Sequence, residues 1–330
     1  MNTDKQPLVS ICCISYNHAK YIDTAINSFW KQKYKNIEIL ALDDGSSDES
    51  LSILQELQKR SPCPMQIIGQ ENTGRISYNF NKLLKLAKGK YCGIISLDDY
   101  LYDTAISEKI PLMEANSNCM FVFNSAITVV DENSIPYQED HLSLFGKKSF
   151  VNDIIENEYN MDWTYYCQGT FYRKDILQTV GYLDEDLLAD DYALRIKTAL
   201  YLQKHPEKFF LNLDNPACFY RRHTSNISRN VLRQTLLIGE VLDRYYPDRK
   251  RPYEYQKLIK AAVPYMNFMT FQKVNMFKGE TKILLKELVM FSYQKIRNMR
   301  KQLVRIRLSK NKKLIRLLGI TLYQKGMDNA

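Results

Sequence analysis

Three pairs of adjacent aspartates are the side chains best suited to chemistry in this sequence. Asp43-Asp44 and Asp98-Asp99 each end an apolar run, and Asp190-Asp191 opens a helical pattern. Burying a carboxylate away from water is costly, and two adjacent carboxylates also repel each other. Cations or hydrogen-bond donors must therefore lie beside such a pair. Carboxylates bind hard divalent cations, accept the imide N–H of a pyrimidine base, or act as general bases. Each pair predicts a ligand site or, as the alternative, a solvated turn or helix cap.

Basic side chains form a second group of candidates. Arg221, Arg222 and His223 are consecutive, and Arg75 follows a predicted strand. Two guanidinium groups beside an imidazole suit a diphosphate clamp or an extra metal ligand, and Arg75 could reach a phosphate or a base carbonyl. The alternative for His223 is a surface or core histidine with no ligand.

The elements that must position these residues are alternating strands and helices. Strand-like apolar runs cover Leu8–Ile14, Ile37–Leu42, Met65–Ile68 and Tyr91–Leu97, with helical spacings between them. Short polar joints favour an α/β fold with a mostly parallel sheet covered by helices on both faces. Ligands bind at the carboxyl ends of strands in such sheets, so the polar clusters after the first, second and fourth strands should share one edge.

The second half of the chain has weaker patterns. Met120–Val130 predicts a strand, residues 131–160 an irregular loop region, and Phe209–Leu213 and Ala217–Tyr220 two short strands. From about Val231 the spacing is helical to the end. The predicted organisation is a catalytic domain over 1–228 and a helical region over 229–330.

Composition limits the protein classes. The chain has 330 residues, 45% hydrophobic and 25% charged, as in a soluble globular protein. Neither an export signal nor 18 consecutive apolar residues occurs, so we expect a cytoplasmic protein without a membrane span. The seven cysteines lack C-x-x-C spacing and are expected to be reduced core residues. No P-loop, G-x-G-x-x-G, G-x-S-x-G or H-E-x-x-H motif occurs, which argues against the common kinases, dehydrogenases, hydrolases and zinc proteases.

Together the candidate stretches resemble the family 2 glycosyltransferases, which invert the transferred sugar and have the nucleotide-sugar-binding GT-A fold. The resemblance runs in order from about Leu8 to Ser228. It rests on five stretches: VSICCISYNHAKYIDTAINSFWKQKYKNIEILALDDGSSDES, ENTGRISYNFNKLLKLAKGKY, ISLDDYL, GYLDEDLLADDYALRIK and YRRHTSNIS.

The resemblance implies a role for each matching residue. Asp191 would be the general base, Asp99 the direct ligand of Mn²⁺ or Mg²⁺, and His223 a further ligand near the metal or diphosphate. The implied nucleotide-binding residues are Ser15, Tyr16, Asp44, Arg75 and Asp98, with Asp44 on the base and Asp98 near the ribose. Candidates for diphosphate or acceptor contacts are Arg221, Arg222, Asp190 and Trp163, with Tyr165 and Tyr166 beside Trp163 as sugar-stacking or core residues.

Two departures from the family pattern bear on function. Ser96 stands where many relatives have the first acid of D-x-D-D, which puts a three-carboxylate arrangement in doubt. The Q-x-x-R-W motif of processive polymerases is absent, which favours one transfer per encounter. Asp44 could accept from uracil, thymine or guanine, and family frequency favours a UDP-sugar donor.

The basic charge of the protein belongs to its last part. The net charge is +9, but residues 282–330 hold 13 Lys and Arg against two acids, and the preceding 281 residues hold 33 basic and 35 acidic side chains. Residues 282–325 predict basic amphipathic helices, including a second piece over Lys312–Leu322. These would bind an anionic membrane surface near a lipid-linked acceptor or, alternatively, pack on the protein. Interleaved aromatics are lacking, so no nucleic-acid partner is expected.

Three functional hypotheses follow. The leading one is a cytoplasmic, membrane-peripheral, inverting transferase that moves a sugar to a hydroxyl of a glycan or lipid-linked acceptor during surface polysaccharide or glycolipid synthesis. The second is a transferase to a polyprenyl phosphate, which needs no base. The third is a non-catalytic nucleotide-sugar or membrane-binding scaffold. The sequence leaves the sugar, the acceptor and the oligomeric state open.

Overall fold

The computed structural model describes residues 6–141, 150–162, 165–187, 191–224, 226 and 229–262, with a few later positions: 282, 286, 290, 315–317 and 320–322. Among the described residues, no helix combines the length and apolar character needed to cross a membrane.

The first part of the chain alternates strands and helices as predicted. The elements are β1 (Val9–Ser15), α1 (Ala19–Trp30), β2 (Ile37–Asp43), α2 (Ser50–Lys59), β3 (Met65–Gly69), α3 (Ile76–Leu86) and β4 (Tyr91–Ser96). The four strands are parallel in the order β3-β2-β1-β4. Their carboxyl ends therefore lie on one edge of the sheet, as the sequence predicts.

The second part completes a curled, mixed sheet. Its elements are β5 (Tyr100–Leu101), α4 (Ile110–Ala115), β6 (Cys119–Val130), β7 (Pro136–His141), α5 (Val151–Asn160), β8 (Phe171–Arg173), α6 (Lys174–Thr179), α7 (Asp191–Lys204) and β9 (Phe209–Arg221). The full order is β3-β2-β1-β4-β8-β6-β9-β5, with β7 on β6. The pairs of β4 with β8, β6 with β8, β6 with β7 and β5 with β9 are antiparallel, so the parallel character is confined to β1–β4 and the β6–β9 pair.

Two local predictions in this part are wrong. Residues 131–160 are not irregular throughout, because β7 and α5 lie within them. The two strands predicted over 209–220 form one strand, β9, whose register with β6 shifts at Cys119/Phe121, Asn124/Ala126 and Ala126/Thr128. Bulges let a strand continue through a polar, turn-like stretch, here Asp214-Asn215-Pro216, which the sequence pattern suggests is a break.

Both faces of the sheet are buried. In β1, Cys12 belongs to one apolar cluster and Cys13 to another, because neighbouring side chains of a strand point to opposite faces. Helix α3 packs its Leu83 and Leu84 into the first cluster, and α1 packs Ile22 and other apolar residues into the second. All seven cysteines are free and six are buried, which confirms their prediction as core residues, with Cys63 half-buried.

The region after the sheet begins with α8 (Val231–Tyr245) and α9 (Tyr253–Ala262), as predicted. Lys282, Lys286 and Met290 are helical. The predicted helix over Lys312–Leu322 is wrong, because β10 (Ile315–Leu317) and β11 (Ile320–Leu322) pair antiparallel. Apolar and polar residues alternate with period two in both segments around Gly319, a pattern typical of a hairpin. The other residues of the predicted basic tail lie outside the described part of the chain.

Candidate active site

The loops after β1 and β2 are held together by side-chain hydrogen bonds. The backbone N–H of Asn17 donates to Ser46 Oγ (2.8 Å), and that of Ser47 donates to Asn17 Oδ1 (2.8 Å). Asn17 has φ 56°, a left-handed conformation that asparagine tolerates. Gly45 has φ 71°, and a Cβ there would lie 2.4 Å from the backbone nitrogen of Asn72. Asn17 and Gly45 therefore allow the backbone conformations that hold the loops after β1 and β2 in place.

Asp44 organises the loop that follows β3. Its carboxylate accepts hydrogen bonds from Gln70 Nε2 (2.8 Å), from the backbone N–H and hydroxyl of Thr73 (both 3.0 Å), and from the backbone N–H of Gly74 (3.0 Å). Burial alone would raise the pKa of this carboxyl, but these donors lower it below its usual value. The two oxygens offer about four acceptor positions, and four donors occupy them. Asp44 therefore holds the loop that carries Arg75.

Asp98 and Asp99 have different surroundings although they are adjacent. Asp99 is 2% exposed, and its Oδ1 accepts the backbone N–H of Arg221 (2.8 Å). Asp98 is half-buried, with Oδ2 3.1 Å from Nε2 of His223. The side chain of Asp99 thus connects β9 to the end of β4, whereas the side chain of Asp98 contacts His223.

This arrangement separates the charges of the pair. Burial and the neighbouring Asp98 raise the pKa of Asp99 well above its usual range. For Asp98 burial acts in the same direction, but the hydrogen bond from His223 and the nearby His18 outweigh it and lower its pKa to about 2. These surroundings favour the ionised form of Asp98 and the protonated form of Asp99, which reduces the repulsion between the two consecutive carboxyls.

His18 belongs to this cluster, and the sequence analysis did not single it out. Its Nε2 lies 4.0 Å from Asp98 Oδ2, and its ring centroid lies 6.4 Å from that of His223. Tyr21 of α1 packs beside His223, and the centroids of the two rings are 5.1 Å apart. The available signal was the position of His18, in the polar joint directly after β1, where the sheet edge carries ligand contacts.

Arg221 and Arg222 differ as well. Arg221 is buried, and its guanidinium donates to the backbone oxygens of Asp98 (2.8 Å) and Glu132 (3.1 Å) and to Ser134 Oγ (2.9 Å). These contacts fix the loop after β6 to the strand end. Arg222 is exposed and lies beside the ring of Tyr137. Of the two arginines, only Arg222 is placed to reach a diphosphate without leaving buried partners.

Asp191 begins α7 and is paired with a buried arginine. Arg195 Nη1 lies 2.7 Å from Asp191 Oδ2, one helical turn away, and Arg195 Nε lies 2.6 Å from Oε1 of Glu158 on α5. The side chain of Asp191 is 31% exposed, whereas those of Arg195 and Glu158 are both 2% exposed. Asp191 is thus the member of this group that solvent or an acceptor can reach.

The remaining predicted residues have separate positions. Ser15 is buried and its Oγ has no partner among the described residues, and Tyr16 is 50% exposed. Arg75 stacks on Tyr78 and lies 3.9 Å from Oε2 of Glu185. Tyr165 is a core residue stacked on Phe123, Tyr166 is half-buried, and Asp190 and Trp163 lie outside the described residues.

The side chains around Asp98 include possible ligands of a divalent cation. The described residues contain no group of three His, Cys, Asp and Glu side chains converged as a metal centre. Asp98 Oδ1 is buried without a hydrogen-bond partner in the described part of the chain, and Oδ2 meets an imidazole. A carboxylate and an imidazole suit Mn²⁺, whose remaining ligands can be substrate phosphates and water. Asp98 and His223 therefore fit a metal that binds together with a diphosphate.

The fold is that of the GT-A glycosyltransferases. Residues 1–349 of S. aureus TarS bound to UDP-GlcNAc superpose with a TM-score of 0.58 at 14% identity, covering 98% of each chain. The mannosyltransferase PcManGT of Pyrobaculum calidifontis, bound to GDP-Man and Mn²⁺, gives a TM-score of 0.55 at 13% identity over 88% of each chain. These likenesses confirm the predicted fold.

The chain belongs to glycosyl transferase family 2, whose model matches residues 10–181, more than half of its length. An uncharacterised glycosyltransferase of Haemophilus influenzae is 29% identical over 52% of this chain and 45% of its own length. Another, of Nostoc, is 35% identical over 53% of this chain and 54% of its own length. The chain thus spans about half the length of these curated relatives. The family resemblance inferred from the motifs is confirmed.

Proposed function

We propose that this protein transfers a sugar from a nucleoside-diphosphate sugar to a hydroxyl of a glycan or lipid-linked acceptor, with inversion at the anomeric carbon. The observation that carries the proposal is the cluster at the carboxyl end of β4, where Oδ2 of Asp98 lies 3.1 Å from Nε2 of His223 and Oδ1 of Asp98 is buried without a hydrogen-bond partner among the described residues. Family membership supports the same reaction class. This edge is where open α/β sheets bind ligands.

The donor is proposed to bind against the loops after β1, β2 and β3. Half of the surface of Tyr16 is exposed and could contact a base. The Ser15 hydroxyl is buried without a partner among the described residues. Arg75 follows directly after the loop whose backbone is bound by Asp44. Similar structures with UDP-GlcNAc and GDP-Man support a nucleotide sugar. We favour UDP, and we assign Asp44 to positioning of the loop, since a base N–H would have to displace one of its present donors.

The metal assignment follows the geometry of the aspartate pair. We propose that Asp98 and His223 hold Mn²⁺ or Mg²⁺, and that Asp99 supports the site through the backbone of Arg221. This exchanges the roles that the family resemblance implies for the two aspartates. When bound, a divalent cation neutralises charge on the departing diphosphate. Arg222, exposed at the end of β9, is the candidate for an additional diphosphate contact.

Asp191 is the proposed general base. It is partly exposed, and its interaction with Arg195 fixes the orientation of its carboxylate. The pKa of Tyr166 is raised to about 12, first by burial, and both Asp191 and Arg222 contribute to the field at its hydroxyl. The proposed base and the proposed diphosphate contact therefore both act on the same tyrosine. This placement supports an acceptor hydroxyl entering beside Tyr166, with Asp190 and Trp163 as further acceptor candidates.

Location at the cytoplasmic face of a membrane remains part of the proposal. It is supported by the concentration of basic residues after position 282 and by a lipid-linked acceptor being presented at a membrane surface. The amphipathic segment proposed for this contact ends before Ile315, because β10 and β11 replace the second predicted helix.

A nucleotide panel tests the proposal. Thermal unfolding of the protein is measured with UDP, dTDP and GDP, each with and without Mn²⁺, and the nucleotide that stabilises is then supplied as its sugar conjugates. We expect UDP to raise the melting temperature only with Mn²⁺, and a UDP-sugar to release UDP. If no nucleotide stabilises the protein with metal while the protein still binds anionic vesicles, the transferase proposal is wrong and the membrane-binding scaffold hypothesis replaces it.

A further inference from the structure

Arg195 is a buried cation shared by two carboxylates from different parts of the chain. Its side chain donates to both oxygens of Glu158 (Nε to Oε1, 2.6 Å; Nη2 to Oε2, 3.2 Å) and, with Nη1, to Asp191 (2.7 Å). Glu158 comes from α5, whereas Asp191 and Arg195 lie one turn apart on α7. The guanidinium therefore links a fully buried carboxylate to the one that reaches the cleft.

The charges of this group do not cancel when both acids are ionised. One guanidinium then faces two carboxylates. Polar groups of the described residues that act on this cluster include the hydroxyl of Tyr192, which donates to the backbone oxygen of Glu158, the hydroxyls of Tyr165, Tyr166 and Tyr246, and the thiol of Cys167. Arg222 acts from the end of β9 through its proximity to Tyr166. Protonation of one carboxylate would leave the other as the ionised carboxylate paired with Arg195 among the described residues. The two acids are therefore coupled through Arg195.

From this geometry we infer that Glu158 is a positioning residue that sets the proton affinity of Asp191 through Arg195. The inference rests on the proposed role of Asp191 as general base. With Glu158 ionised, Arg195 is compensated mainly by the buried acid, and Asp191 binds a proton more strongly. With Glu158 neutral, the full positive charge acts on Asp191 and makes it a weaker base.

The reaction step affected is the proton transfer. The O–H bond of the acceptor breaks and its proton goes to Asp191, while its oxygen forms a bond to the anomeric carbon. The bond from that carbon to the diphosphate oxygen breaks, and its electron pair leaves with the diphosphate. A weaker base lowers the rate of this step, since the contribution of a general base follows its proton affinity.

The pH dependence of the rate follows the ionisation of Glu158. Burial raises the pKa of Glu158 to about 7, against the opposing effect of Arg195. The rate should therefore rise with pH around 7 as Glu158 ionises. Glu158→Gln removes this titration and keeps Arg195 committed to Asp191. We expect that variant to have a pH-independent rate between about pH 6 and 8, about five- to tenfold below the unchanged protein at pH 8.

The assay is release of UDP from UDP-GlcNAc, with water as acceptor, at a series of pH values. Glu156→Gln is the matched control, because Glu156 lies on the same helix in an exposed pair with Arg249, and it should keep the original pH profile. The inference is overturned if Glu158→Gln retains the rise near pH 7 with the same midpoint. Asp191→Asn distinguishes the proposed function from the further inference. If this variant keeps the original rate, the assignment of Asp191 as general base is wrong, and the coupling of Asp191 to Glu158 is then tested by stability alone.

A second measurement needs no turnover. Melting temperatures are compared for Glu158→Gln, Asp191→Asn and the double variant. The double variant removes both carboxylates that pair with the buried Arg195 in the described part of the chain, so its loss in melting temperature should exceed the sum of the two single losses. Additive losses would overturn the inference, whatever the outcome of the UDP-release assay.

Discussion

Two pairs of carboxylates, at the end of β4 and between α5 and α7, have opposite relations between sequence position and contacts. At the end of β4, Asp98 and Asp99 are neighbours in sequence, and burial separates their functions: one contacts histidine in the cleft and the other fastens a strand. Between α5 and α7, Glu158 and Asp191 are 33 positions apart, and a buried arginine joins them. Adjacency in sequence therefore does not imply a shared role, and a shared role does not require adjacency.

The largest effect is expected on the α7 side. Asp191→Asn removes the proposed base but keeps the size of the side chain, so turnover should fall by about 10²–10⁴-fold. Affinity for UDP with Mn²⁺ should stay within about twofold, because the donor cluster lies elsewhere on the sheet edge. Turnover assays and calorimetric titration of UDP provide the two values. Near-normal turnover would instead favour a phosphate acceptor that needs no base.

A smaller effect is expected at Asp44, on the donor side. Asp44→Asn places an amide NH₂ against the backbone N–H of Gly74 or Thr73, leaving a donor unsatisfied at a cost of about 1–3 kcal/mol of unfolding free energy. The loosened loop should also weaken UDP binding about tenfold. Chemical denaturation and UDP titration measure both, with exposed Glu71→Gln as control. Weaker UDP binding at unchanged stability would point to direct base contact.

His18 tests whether the donor cluster extends beyond the recognised motifs. His18→Gln should weaken Mn²⁺-dependent UDP binding by about tenfold, an effect typical of a group that supports a metal ligand. His205→Gln is the control, because His205 is exposed at the end of α7. Equal affinities for the two variants would remove His18 from the site.

A pH dependence of stability is expected at Glu158. The pKa of Glu158 is raised in the folded protein from 4.5 to about 7, so its stabilising contribution is present below about pH 4.5 and is lost as the pH rises through 7. Glu158→Gln should flatten this part of the stability curve, a change of about 1–3 kcal/mol across the range. Denaturation at several pH values measures it. A curve as steep as that of the unchanged protein would show that Glu158 titrates normally.

The donor side was largely predictable from sequence because its signals are local. Each strand of β1–β4 is mostly apolar, and the candidate residues of the donor side lie at the end of a strand or within a few positions after it. The family and fold predictions made from these motifs are confirmed. The roles of individual site residues stay predictions, including those of Asp191 and Asp44.

The features that were missed depend on contacts distant in sequence. The division between Asp98 and Asp99 is set by the backbone of Arg221, more than 120 positions later. Glu158 appears in the sequence as one acid in a polar stretch, and only the packing of α5 on α7 brings it to Arg195. The β10–β11 pair shows the opposite case, because its alternation is visible in the sequence although the basic and apolar residues of Lys312–Leu322 predict an amphipathic helix.

The most direct measurement of the central claim compares Asp98→Asn with Asp99→Asn by calorimetric titration of UDP in Mn²⁺. We predict a loss of at least about a hundredfold in affinity for Asp98→Asn. We predict a change within about threefold for Asp99→Asn, whose amide oxygen can still accept the Arg221 N–H. An equal or greater loss in Asp99→Asn would contradict the assignment of Asp98 as the carboxylate that faces the donor.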